Sequence, residues 1–231
     1  FSLEALRLIR ALSPIEEECR DPLCTVGDGH QRIYRSRVPM SRAGINIRGR
    51  SRRLKINYRT SEQIRKFSMS ILRGLDIDDL DGETVSTAAD YSVFKGPDPI
   101  VVKCKDSKEE AERIVEWIQN LEQNSFATHE ICVTPYKREI REALASAGIS
   151  TRELKPLEAD PGANEPGVRL GAMNRIKGLE FRAIALACAD PEDPMNALEQ
   201  SDLLKRCERY VAITRARERV LVTILGGQGS G

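Results

Sequence analysis

Aromatic residues are scarce in this sequence: Phe, Trp and Tyr make up 5% of its 231 residues, with one tryptophan. His30 and His129 are the only histidines, and the six cysteines (Cys19, Cys24, Cys104, Cys132, Cys188, Cys207) have no paired short spacing, so neither a zinc centre nor a disulfide framework is supplied. Cys24, Cys104, Cys132 and Cys188 sit in or beside apolar runs, where a free thiol behaves as a small hydrophobe. No apolar run approaches the roughly 20 residues of a membrane span and no signal-peptide pattern opens the chain, so a cytoplasmic protein without a membrane partner is expected. Gly-x-x-x-x-Gly-Lys-Ser/Thr is missing, which leaves no P-loop to hold β- and γ-phosphates. Gly-x-Gly-x-x-Gly is missing too. The chain opens on Phe1 rather than methionine, as a fragment would.

What is present is enough for one large or two modest domains: 40% hydrophobic and 31% charged residues, with a net charge of +1. The charge is unevenly spread. From Arg32 to Lys66 there are 12 Lys/Arg, Arg37 and Arg59 among them, against Glu62 alone. Such a cluster suits a phosphate backbone, or a solvated face paired with acids from elsewhere. From Gly74 to Pro99 the composition turns to an acidic run (Asp76, Asp78, Asp79, Asp81, Glu83) and then a Gly/Pro-containing polar stretch, which reads as a linker. We place domain boundaries accordingly at 1–75, 76–98 and 99–231.

Periodicity predicts a helix over Leu3–Leu12 with Ser2 as N-cap, short strands at Leu23–Gly27 and Arg53–Asn57, and a helix over Ser61–Leu72 capped by Ser61. Beyond the linker, strands and helices alternate as in an α/β parallel sheet. Strands are expected at Ile100–Cys104, Ile131–Thr134, Val168–Met173, Ala183–Cys188 and Val220–Leu225. Helices are expected at Ser107–Gln123, with Ser107 and Glu110 as a capping box, at Lys137–Ala147, closed by Gly148, and within Asn196–Arg217. The turn between Val168–Met173 and Ala183–Cys188 carries Lys177, Gly178 and Glu180. Backbone amides, a cation and a carboxylate are thus expected at the carboxyl ends of the strands, where parallel sheets place ligands.

Four blocks stand in order along the chain: Thr25-Val26-Gly27-Asp28-Gly29-His30-Gln31-Arg32-Ile33-Tyr34, Asn57-Tyr58-Arg59-Thr60-Ser61, Val168 to Asp190, and Arg209-Tyr210-Val211-Ala212-Ile213-Thr214-Arg215-Ala216-Arg217. Together they resemble motifs III, IV, V and VI of superfamily 1 DNA helicases of the UvrD/Rep type. The resemblance implies a second RecA-like lobe preceded by the end of a first one. It further implies that Gln31, Arg59 and Arg215 reach the γ-phosphate of ATP, with Arg215 as an arginine finger. Asp28, Tyr58, Gly178 and Glu180 would contact the nucleotide, Tyr58 on the base and Glu180 on the ribose. Tyr34, Arg37, Thr134, Arg138 and Asn174 would lie along single-stranded or partly duplex DNA.

The chain departs from the pattern in places. Ser36 stands where relatives stack a base on tryptophan, and Asn174 where many have histidine, so one platform and one ionisable contact are lost. Ser150–Gly167 fills the gap in which relatives insert an accessory domain. With Walker A and B absent, ATP and Mg2+ are expected only in an intact parent that supplies the missing N-terminal Walker-containing part. No cofactor is expected to bind this portion tightly, and no hydrolysis is expected from it alone. The alternative is a helicase-derived binding module whose ATPase has decayed.

Overall fold

The computed structural model describes residues 2–15, 21–27, 40–47, 49–50, 52, 54–75, 90–155, 158–188 and 200–225. Six parallel strands form its centre: β3 (Ile100–Cys104), β4 (Ile131–Thr134), β5 (Thr151–Glu153), β6 (Val168–Leu170), β7 (Phe181–Cys188) and β8 (Ala216–Leu225), in the spatial order β3-β8-β7-β4-β6-β5. Helix α1 spans Leu3–Leu12, and β1 (Ile56–Asn57) pairs in parallel with β2 (Tyr91–Ser92) in a separate ribbon. The remaining helices are α2 (Glu62–Ile71), α3 (Ser107–Gln123), α4 (Arg138–Ser146) and α5 (Gln200–Ile213). The fold is thus the expected α/β parallel sheet of RecA-like type.

Both faces of the sheet are covered, and β7 shows how. Ala183, Ala185 and Ala187 face one layer, where their small side chains let Ile114 and Ile118 of α3 and Ile140 and Leu144 of α4 approach. Ile184 and Leu186 face the other, with Ile64 and Ile71 of α2, Ala212 and Ile213 of α5, and Ile176 from the segment linking β6 to β7. A strand buried on both faces carries no polar alternation, which is why these runs read as continuously apolar.

The sequence-derived elements differ from the structure at informative points. Residues 21–27 form no strand, and Val26 is 92% exposed. Cys24 is exposed, while Cys104, Cys132 and Cys207 are buried, and burial pushes the Cys132 thiol pKa up. Helix α3 is capped by Asp106, whose side chain accepts from Glu109 N at 2.8 Å, one residue earlier than the expected capping box. Glu110 is freed from capping and is instead completely buried, bonded to Lys137 Nζ at 2.6 Å and to the Thr223 hydroxyl at 2.7 Å. The linker stretch supplies β2, and α2 packs into the second core rather than away from it. Leu6 of α1 forms a separate small cluster with Ala43 and Ile45.

Candidate functional site

Asn57 shapes the turn that precedes α2. Its side-chain oxygen accepts from the Arg59 and Thr60 backbone N–H groups at 2.8 and 3.2 Å, and its Nδ2 donates to Thr60 Oγ1 at 2.8 Å. This is the local competition with the backbone for which asparagine is favoured in turns. Thr60 and Ser61 are buried as a result, while Tyr58 stands 71% exposed. Ser61 caps α2, and its backbone N–H donates to Arg217 O at 3.1 Å, tying the turn to the entry of β8.

Across from this turn lies Glu180, the residue before β7. Arg59 Nε is 2.7 Å from Glu180 Oε1, with the two side chains 41% and 45% exposed. Gly178, two residues earlier, has φ of 91° in open space, so backbone conformation rather than crowding requires glycine there. An exposed ion pair of this kind contributes about 0–1 kcal/mol, so either partner is readily exchanged for another charged or polar group.

Arg215 ends the turn after α5. It is 3% exposed, its Nε donates to Val211 O at 3.3 Å, and its carbonyl accepts from Phe181 N at 2.9 Å. Tyr58, Arg59, Gly178, Glu180 and Arg215 therefore gather where β7 and β8 begin. This corrects the expectation from the turn's chemistry: the cluster forms at the amino edge of the sheet, not at the carboxyl ends. The reason is topological, since the segment after β6 crosses the face over Ile176 before delivering Gly178 and Glu180 to the opposite edge.

The residues assigned to a nucleic-acid track lie elsewhere. Arg138 opens α4 beyond the carboxyl end of β4, 78% exposed and paired with Glu142 at 2.7 Å. Asn174 is exposed in the crossing segment after β6. Thr134 is completely buried, and among the described residues its hydroxyl has no hydrogen-bond partner. It closes β4, a strand flanked by β7 and β6 and covered on both faces, so it reaches no surface in this conformation. Asp28, Gln31, Tyr34 and Arg37 lie outside the described residues.

Sequence reasoning missed a second polar cluster at the amino edge. Arg182 donates to both oxygens of Glu218 at 2.9 and 3.1 Å and to Glu130 at 3.0 Å, with its guanidinium 4.0 Å from the centre of the Phe126 ring. The hydrogen bond from Arg182 holds the Glu218 carboxyl below its ordinary pKa. Nothing in the sequence pairs these residues, which come from three separate segments. Glu110 did leave a signal, because it sits one turn before Ile114 on the apolar face of α3.

No protein-family model matches the sequence, and no curated protein is recognisably similar to it. Among solved structures the chain is similar to the C-terminal domain of a possible DNA helicase from Lactobacillus plantarum WCFS1. The TM-score is 0.52 at 18% identity, over 75% of this chain and 91% of that one. At that identity the likeness shows the fold. A slighter likeness, with TM-score 0.34 and 16% identity over 52% of this chain and 26% of the other, is to the Pyrococcus furiosus Hef helicase domain.

Proposed function

We propose that this chain is the C-terminal part of an ATP-dependent DNA helicase or translocase, supplying phosphate sensors and part of a single-strand track. The observation that carries the reading is the Arg59–Glu180 pair. Two residues that the resemblance assigns to one nucleotide, from segments far apart in sequence, meet at 2.7 Å, and the residue preceding Arg59 in the chain is the exposed Tyr58. An aromatic face, a guanidinium and a carboxylate are the groups a base, a phosphate and a sugar hydroxyl need. On this reading ATP with Mg2+ would exchange the weak internal pair for its own contacts, phosphate on Arg59 and ribose on Glu180. The P-loop that holds the rest of the nucleotide would come from the missing part of the protein.

Arg215 favours a second reading. As an arginine finger it has to leave an interior in which it is 3% exposed. If it never does, the lobe is a helicase-derived nucleic-acid or partner-binding module. DNA-stimulated ATP turnover in a protein joining this lobe to its P-loop-bearing lobe separates the two. Arg215→Ala is expected to lower kcat by at least about a hundredfold and to leave nucleotide-free DNA affinity unchanged. Near-normal turnover with strongly weakened DNA binding would decide for the binding module.

A further inference from the structure

Strand β8 enters the sheet irregularly. Phe181 pairs with Ala216 and Ala183 with Arg219, so Arg217 and Glu218 together oppose Arg182 alone, a β-bulge. In a regular strand successive side chains point to opposite faces. Here Arg217, Glu218 and Arg219 all line one groove, and Phe94, Lys95 and Gly96 form its other wall. That wall is held in place: Gly96 N donates to Gln63 Oε1 at 2.9 Å and Glu62 N donates to Phe94 O at 3.0 Å. A Cβ on Gly96 would stand 3.0 Å from Ser61 Cβ, so a larger residue there would have to push the Ser61 side chain back.

The bidentate bond to Arg182 offsets the charge of Glu218. Lys95 and Arg217 are exposed, and among the described residues neither forms an ion pair. We propose that this bulge-built groove binds the phosphate backbone of a nucleic-acid strand through Lys95 and Arg217, with Phe94 as a surface for one base. Cations tracking a backbone beside an aromatic ring are the usual means of holding single strands. A free nucleotide fits less well, because the one carboxylate in the groove is already bonded to Arg182. The contact lies at the amino edge, apart from Arg138 and Asn174 at the other. It rests on the nucleic-acid reading above and extends it.

The test is fluorescence anisotropy of a labelled oligothymidylate with this chain, across a range of KCl concentrations. It compares the native chain, the double variant Lys95→Gln/Arg217→Gln, and Arg138→Gln. Both groove positions are exposed, so the double variant is expected to fold. It should bind more weakly, and its slope of log affinity against log salt should be shallower by about 1.4, or about 0.7 for each lost phosphate contact. Native affinity and slope in the double variant, with Arg138→Gln weakened, would overturn the groove and leave the helicase reading standing. Stoichiometric displacement of the oligonucleotide by tripolyphosphate would overturn it in favour of a triphosphate site. Failure of the native chain to bind at any salt would sink both.

Discussion

Among the described residues three arginines, Arg169, Arg206 and Arg215, lie in the interior, and each donates to backbone carbonyl oxygens. Arg169 is completely buried and donates to Asp160 and to the carbonyls of Gly162, Glu165 and Gly167 at 2.6–3.0 Å. A guanidinium that never loses its charge, with five donors in a fixed fork, can organise a whole loop in this way. It ties together residues 160–167 ahead of β6, in a connection too short to hold an inserted domain. Removing it strands three carbonyls and a carboxylate that is only 15% exposed. Arg169→Met should therefore cost about 3–5 kcal/mol, read as a lower urea midpoint, and Arg169→Lys should recover little of it. An unchanged midpoint in either variant would refute this role. Glu62 makes the complementary case for a carboxylate. Its hydrogen bonds from Arg65, and then from the Ser92 backbone N–H at 2.8 Å, take its pKa from 4.5 down to about 2. A depressed carboxylate contributes stability that is fully present above its unfolded pKa and is lost as pH falls through the folded one. Glu62→Gln should therefore be less stable than the native chain at neutral pH by about 1–2 kcal/mol. The difference should close between pH 4.5 and about 2, and a gap that persists below that window would assign the loss to packing instead.

Helix α2 is fixed at both ends by residues remote in sequence. At its start, Ser61 N reaches Arg217 O and Glu62 reaches Ser92. At its end, Arg206 of α5 donates to Ile71 O and Arg73 O, both at 2.7 Å, satisfying carbonyls that a helix terminus leaves open. Because the turn bearing Tyr58 and Arg59 leads directly into α2, these contacts also position the candidate site. Arg206→Ala should cost about 1–3 kcal/mol and lower hydrogen-exchange protection across residues 62–71 more than across α3. Uniform loss over both helices would show that Arg206 acts on the whole sheet instead. Elements of this kind were legible in the sequence wherever one short-range signal fixed them. Ser2 and Ser61 marked helix starts, Gly148 with φ of 74° marked the end of α4, and the apolar runs of β3 and β4 needed nothing else. Leu23–Gly27 misled because an apolar run becomes a strand only if a neighbour pairs with it, and among the described residues none does. The motif residues could be named from the sequence. Their edge could not, since it depends on which way a ten-residue crossing runs over the sheet. The bulge at Arg217 was equally hidden, being a property of two strands in register.

On the scale of the molecule the decisive fact is where packing separates, and it is not where composition changes. The polar stretch from 76 to 98 suggests a break, yet Ile64, Phe67 and Ile71 on its near side share a core with Phe181, Ile213 and Val220 on its far side. Leu3, Leu23, Met40 and Ile47 pack around Leu6, Ala43 and Ile45 in a cluster of their own. Two truncations follow from this. A chain beginning at residue 54 retains β1, α2 and the whole sheet, and should melt within a few degrees of the full chain. A chain beginning at residue 76 loses α2 and uncovers one face of β7 and β8. Burial of each large apolar side chain on that face is worth about 1.5–3 kcal/mol, and removing several consumes much of the roughly 5–15 kcal/mol that holds a domain folded. Such a chain should unfold or aggregate at a temperature where the first remains native, as circular dichroism against temperature would report. Equal melting of both truncations would place α2 outside the folding unit. It would also detach Arg59 from the sheet edge on which Glu180 and Arg217 stand, and with it the geometry on which the nucleotide reading depends.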